Sequence, residues 1–126
     1  MNNHLTAIQD AHRVAIRATI PMQAVLLNVR LGATLVAYMT GVRSRNMPLR
    51  WEHGEAIPRD RAATRLLTAY TAWLAIQDHD GPDVARNWFI GANPWLGDIS
   101  PAEAIRHDDP RVFGVVQNFI EDGGGA

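Results

Sequence analysis

Apolar residues recur at three- and four-residue spacing along nearly the whole chain, and no stretch alternates apolar with polar residues. The pattern predicts an all-α protein. A first stretch, about Leu5 to Thr19, puts Leu5, Ile8, His12 and Ile16 on one stripe. Pro21 breaks it and can open a second helix, with Met22, Val25, Leu26 and Val29 on one face. A short apolar helix follows from Leu31 to Thr40, carrying Leu31, Leu35, Val36 and Met39, and Gly41 ends it as a residue free to take positive φ. The next piece, Val42 to His53, has Pro48 in its first turn, Leu49 and Trp51 as its inner anchor, and Gly54 as its stop.

Pro58 then opens a longer helix to about Ile76, with Ala63, Leu67, Tyr70 and Leu74 as its buried stripe. Arg59, Arg61 and Arg65 near its start oppose the helix dipole, so another contact must account for them. After a loop at Asp78–Gly81, Pro82 starts a helix through Ile90, and Gly91 to Ile99 is an irregular connection. Ser100-Pro101-Ala102-Glu103 is a capping box with proline at the first helical position. A second start at Asp109-Pro110 leads into Val112, Val115, Val116, Phe119 and Ile120 at helical spacing, and Gly123 ends the run. The tail Gly123–Ala126 is too rich in glycine to fold alone.

Composition adds little until charge is read along the chain. At 126 residues, 47% hydrophobic and 20% charged, the chain fits one compact domain or two small helical modules. The net charge is only −1. Up to Ala75, however, nine arginines face four acids, a surplus of five positive charges. From Ile76 onward three arginines face nine acids, a surplus of six negative ones. Two oppositely charged halves suggest two different partners, although chance clustering of solvated charge gives the same count. There is no cysteine, no apolar run of membrane-spanning length and no basic-then-apolar leader, so a cytoplasmic location is expected.

Two segments carry candidate functions. Leu31–Gly54 has the layout of a helix-turn-helix, in which the start of the second helix meets DNA. Arg43, Ser44, Arg45 and Asn46 stand there, with Arg50 one turn on. Arginine suits guanine, asparagine suits adenine, and serine serves phosphate or base. The same spacing also describes an ordinary helical hairpin with an arginine-rich face.

Trp88, Phe89 and Trp95 crowd around the rigid turn Asn93-Pro94-Trp95-Leu96. Large aromatics anchor interfaces but also fill small cores. The expectation is Trp88 and Phe89 mostly inward, with Trp95 open to a partner. Enzyme chemistry has little support. The five histidines lack metal-ligand spacing, Ser44 and Ser100 lack a partnered base, and no phosphate loop follows a strand. No metal and no cofactor are expected.

The string from Trp88 through Asn93-Pro94-Trp95-Leu96 to Ser100-Pro101-Ala102-Glu103 resembles the C-terminal toxin-binding domain of Xre/MbcA/ParS-type antitoxins. Leu31–Ile76, especially Arg50-Trp51-Glu52-His53-Gly54-Glu55, resembles the helix-turn-helix portion of actinobacterial members. The resemblance covers about Leu31 to Gly124 and implies an Xre-like DNA-binding region (31–77) and a three-helix toxin-binding module (78–126); residues 1–30 match no part of the family and are read as an N-terminal helical extension that dimerises or braces the core. The resemblance further implies a bacterial antitoxin that covers the active site of a RES-domain, NAD-consuming toxin and represses its own operon as a homodimer on operator DNA. Toxin contacts would then fall to Trp88, Asn93, Pro94, Trp95, Leu96, Phe119, Ile120, Glu121, Asp122, Gly123 and Gly124. The competing reading is a stand-alone helix-turn-helix regulator without a toxin partner, and a small-ligand binder or enzyme comes third.

Overall fold

Between Leu66 and Ile76 small and large apolar residues leave hardly any polar face, and the helix they form is buried nearly all round. The computed structural model describes residues 4–123. Gly124 and the remainder of the tail lie outside the described residues, as does the side chain of Leu5. Eight α-helices run in chain order: α1 His4–Ala15, α2 Ile20–Leu31, α3 Ala33–Thr40, α4 Asn46–Glu52, α5 Asp60–Asp80, α6 Pro82–Ile90, α7 Pro101–Arg106 and α8 Val112–Glu121. A 3₁₀ turn, Pro94–Leu96, interrupts the α6–α7 connection, and there is no strand among the described residues.

Helix α5 is the axis of the molecule. It touches α1, α2, α3, α6, α7 and α8, and buries Leu66, Ala69, Tyr70, Ala72, Trp73, Ala75 and Ile76. Alanines let neighbouring helices approach closely while Trp73 fills the space between them. Two polar side chains taken inside find partners one turn away. Trp73 Nε1 donates to Gln77 Oε1 at 2.6 Å, and Thr71 Oγ1 donates to the Leu67 carbonyl at 2.8 Å. One continuous core runs from Ala11 to Val116. The boundary drawn at residues 77/78 falls inside α5, so the three sequence segments share a single core rather than packing separately.

Helix ends follow the local chemistry. Thr19 caps α2 by accepting from the Met22 amide, and Ser100 caps α7 by accepting from the Glu103 amide at 3.0 Å. Pro82 begins α6 as anticipated. Other bounds move. Leu31 closes α2, α4 starts only at Asn46, and α5 starts two residues after Pro58 and continues to Asp80, so the turn dividing the charged halves shrinks to Gly81.

The stripes of the first two helices differ from expectation. In α1 the inward side is Ile8, Ala11 and Ala15, whereas His12 and Ile16 are exposed. In α2 the buried set is Gln23, Ala24, Leu27 and Leu31, and Met22, Val25 and Val29 face outward, Val29 at 74% exposure. Both faces of α2 have helical spacing. Its orientation is set by α4, because Asn28 Nδ2 donates to the Pro48 carbonyl and to Glu52 Oε1 at 3.0 and 2.8 Å. The other face is thereby left outward.

Arg65 answers the question raised by the basic start of α5. Its Nε and NH2 grip the two oxygens of Asp108 at 2.9 and 2.8 Å, while NH1 donates to the Thr40 carbonyl at 3.1 Å. One guanidinium thus ties α3, α5 and the α7–α8 turn together, and part of the charge asymmetry is consumed internally. The paired hydrogen bond raises the Arg65 pKa and, by the same contact, holds the Asp108 carboxyl below its usual range.

Candidate partner-binding cleft and basic groove

The Asn93–Ile99 corner is locked by its own backbone. Asn93 accepts from the Trp95 amide through Oδ1 at 2.9 Å, so its side chain acts as the cap of the 3₁₀ turn. Its carbonyl accepts from the amides of Leu96 and Asp98, and its amide donates to Ile99. Pro94 fixes φ at the next position, and Gly97 takes φ +69°, where a side chain would be strained. Leu96 plunges into the core at 2% exposure, pinning the corner from below.

The burial pattern divides the eleven predicted toxin-contact residues. Trp88 (6% exposed), Asn93 (8%) and Leu96 are largely inside the fold, although Trp88 and Asn93 also line the cleft between the corner and α8. Their role is to shape the corner. Pro94 and Trp95 are exposed, Trp95 at 46%. Phe119 and Ile120 are half-buried at the end of α8, and Glu121, Asp122 and Gly123 are exposed. Gly124 is outside the described residues.

The two ends of this set come together in space. The Trp88 ring lies edge-on to Phe89 at 5.0 Å between centroids and reaches Phe119 at 6.5 Å. A cleft of about 220 Å³ opens between the corner and α8, lined by Asn87, Trp88, Pro94, Trp95 and Phe119 among others. An apolar cleft with one exposed indole and an acidic helix end beside it suits the insertion of a partner's side chain.

On the other candidate surface, Arg43, Ser44, Arg45, Asn46 and Arg50 are all exposed. The structure corrects their placement. Arg43, Ser44 and Arg45 form the turn between α3 and α4, and only Asn46 and Arg50 lie in the helix. Ser44 Oγ accepts from the Asn46 amide at 3.1 Å, which rigidifies that turn. Arg50 is drawn back toward its own loop, donating to the Glu55 carbonyl at 3.4 Å. The turn begins at Gly41, whose φ of +85° reverses the chain and whose ideal Cβ would stand 2.5 Å from Arg65 NH1. Trp51 is fully buried, as expected of the inner anchor, and Leu49 is half-buried.

Sequence reasoning missed a contribution from α7. Arg106 NH1 donates to the Tyr38 carbonyl at 2.7 Å, and its guanidinium sits 4.7 Å from the centre of the Tyr38 ring. Arg106 therefore joins Arg43 and Arg45 around a groove of about 460 Å³, completed by Thr34, Ala37, Tyr38 and Val42. The separation of 68 positions between Tyr38 and Arg106 leaves no local signal for this meeting. Among the described residues no cluster of three or more acidic or histidine side chains could hold a metal, and no single helix is long and apolar enough to cross a membrane. Compared with known proteins, the chain matches no family model, no curated protein and no solved structure.

Proposed function

We propose that the protein is an antitoxin that neutralises a RES-domain, NAD-consuming toxin and represses its own operon by binding operator DNA. The observation carrying this reading is the cleft that Asn93, Pro94 and exposed Trp95 of the rigid corner line together with Phe119, two residues before the acidic end of α8. The partner's identity comes from the resemblance of this string to antitoxin C-terminal domains. In this mechanism Trp95 and Pro94 dock on the toxin beside its pocket, and the segment from Phe119 onward covers the pocket. A pocket that accepts NAD must attract phosphate, so Glu121 and Asp122 carry the sign of charge it is built to receive. Inhibition of NAD consumption by a purified RES-domain protein encoded beside this gene tests the reading. Trp95→Asp should weaken inhibition at least tenfold, and a chain ending at Asn118 should lose it. Full inhibition by the shortened chain would remove the tail mechanism.

For DNA the proposed readers are the α3–α4 turn, with Arg43, Ser44, Arg45 and Asn46, and Arg50 behind it. Arg45→Ala should cost about 1–3 kcal/mol in operator binding if the guanidinium pairs with a base. A homodimer completes the proposal. The outward residues Met22, Val25 and Val29, with half-buried Leu26 beside them, follow i, i+3, i+4 and i+7 spacing, so a second copy can meet them with the same ridge. Because Asn28 braces α2 against α4, that pairing would carry two α4 helices together, as paired half-sites require. Sedimentation of Val25→Glu checks it, with a shift to monomer as the expected result. The stand-alone regulator remains the second reading, favoured by the exposure of the basic turn. Duplex binding without any effect on a neighbouring RES-domain protein would select it.

A further inference from the structure

We propose that Arg106, on α7, is a phosphate-contacting residue of the DNA-binding surface, forming one basic groove with Arg43 and Arg45. The inference rests on the DNA-binding reading and extends it to a residue in the segment otherwise assigned to toxin binding.

Three observations converge on it. First, the groove is lined by three guanidiniums and no carboxylate. Second, four arginines outside the groove are matched to acids, Arg13 to Asp10, Arg61 and Arg65 to Asp108 and Arg111 to Asp109, and the other five, Arg17, Arg30, Arg50, Arg59 and Arg86, are not part of its lining. Among the described residues, Arg43, Arg45 and Arg106 have no such pairing, so their charge is uncompensated at one place on the surface. Third, Arg106 is pre-positioned. Its NH1 is fixed on the Tyr38 carbonyl near the C-terminal end of α3, and its plane is held over the Tyr38 ring. A guanidinium has five N–H donors, so that single bond leaves most of them for a phosphate oxygen. The fixed side chain also loses little entropy when it binds. The groove's other walls are apolar or weakly polar, which suits a sugar–phosphate backbone lying across it rather than a base edge.

The groove also joins two parts of the chain mechanically. Helix α7 begins immediately after the Asn93–Ile99 corner and ends at Arg106. It packs on α3. The groove takes Arg106 from the last position of a helix whose first turn follows the corner that lines the cleft.

The test is fluorescence anisotropy with a fluorescein-labelled duplex of random sequence and about 30 base pairs, titrated across salt. Each phosphate contact contributes about 0.9 to the slope of log affinity against log salt. Arg106→Gln should lower that slope by about 0.9 and Arg106→Lys should largely keep it, while Arg86→Gln, outside the groove, should leave it unchanged. A structural role alone would lower the melting temperature without moving the slope. Because loss of the Tyr38 contact can disturb folding, phenylglyoxal footprinting of the unaltered protein gives a second measurement. Duplex should protect Arg43, Arg45 and Arg106 from modification and leave Arg86 reactive. Equal modification of Arg106 with and without duplex, or an unchanged slope in a folded Arg106→Gln, overturns the inference alone. Failure of the unaltered protein to bind duplex overturns the inference together with the DNA reading.

Discussion

The aromatic cleft and the basic groove are built in contrary ways. The cleft stands on buried residues. Trp88, Asn93 and Leu96 make the corner rigid, and Trp95 alone among its large residues is well exposed. The groove stands on exposed charges borrowed from a turn and a helix end, steadied by backbone carbonyls. Residues that make a segment recognisable are therefore not in the main its exposed ones. In the cleft the distinctive string is mostly foundation, whereas in the groove nearly every named residue is available for contact.

That contrast can be tested by separating stability from binding. The largest expected effect is in the foundation. Leu96→Ala should destabilise the protein by about 2–4 kcal/mol in urea unfolding, because its side chain is buried and the site cannot collapse around a rigid corner. A loss under 1 kcal/mol would mean that the corner does not depend on its anchor. Next comes Gly41→Ala, at the base of the basic turn, which should cost about 1–2 kcal/mol from the left-handed backbone alone. The added Cβ must also displace the Arg65 guanidinium, so loosened contact with Asp108 should be visible as a chemical-shift change at that carboxyl.

A smaller effect is expected with pH. Hydrogen bonding from Arg65 lowers the Asp108 pKa, and hydrogen bonding from Arg111 lowers that of Asp109. A carboxyl with a depressed folded-state pKa stabilises the fold above its unfolded pKa and loses that contribution as pH falls through the folded value. Melting temperature should accordingly hold steady down to about pH 4 and decline below it. In Asp108→Asn the part of that decline due to Asp108 should disappear. Smallest of all are the stability effects at the contact positions. Trp95→Ala and Arg45→Ala should each change unfolding free energy by no more than about 0.5 kcal/mol, while impairing toxin and duplex binding respectively.

Much of the fold was legible because helix ends carry local chemistry. Ser100, Pro82, Gly41 and Gly123 act where they stand, without reference to distant residues. The outward and inward sides of α2 were not legible, since Met22-Val25-Val29 and Ala24-Leu27-Leu31 both satisfy helical spacing. Only the tertiary bonds of Asn28 to Pro48 and Glu52 decide between them. The end of α5 was hidden because its last turn, residues 77–80, is polar and partly exposed and reads as a loop. At the candidate sites, the inward turn of Trp88 and Phe89 and the exposure of Trp95 followed from the aromatic cluster and its rigid turn. The burial of Asn93 did not, because its polarity hid its service as an internal cap. Arg106 gave no sign, since its partner lies 68 residues away.

The central claim is that the edge formed by Trp95, Pro94 and the end of α8 is a surface for a RES-domain toxin. The most direct measurement is the rate of NAD consumption by that toxin, purified from the same operon, as this chain is added up to equimolar concentration. The account predicts near-complete inhibition at equivalence by the unaltered chain, and little by Trp95→Asp folded to the same melting temperature. Undiminished NAD consumption with the unaltered chain in excess would contradict it.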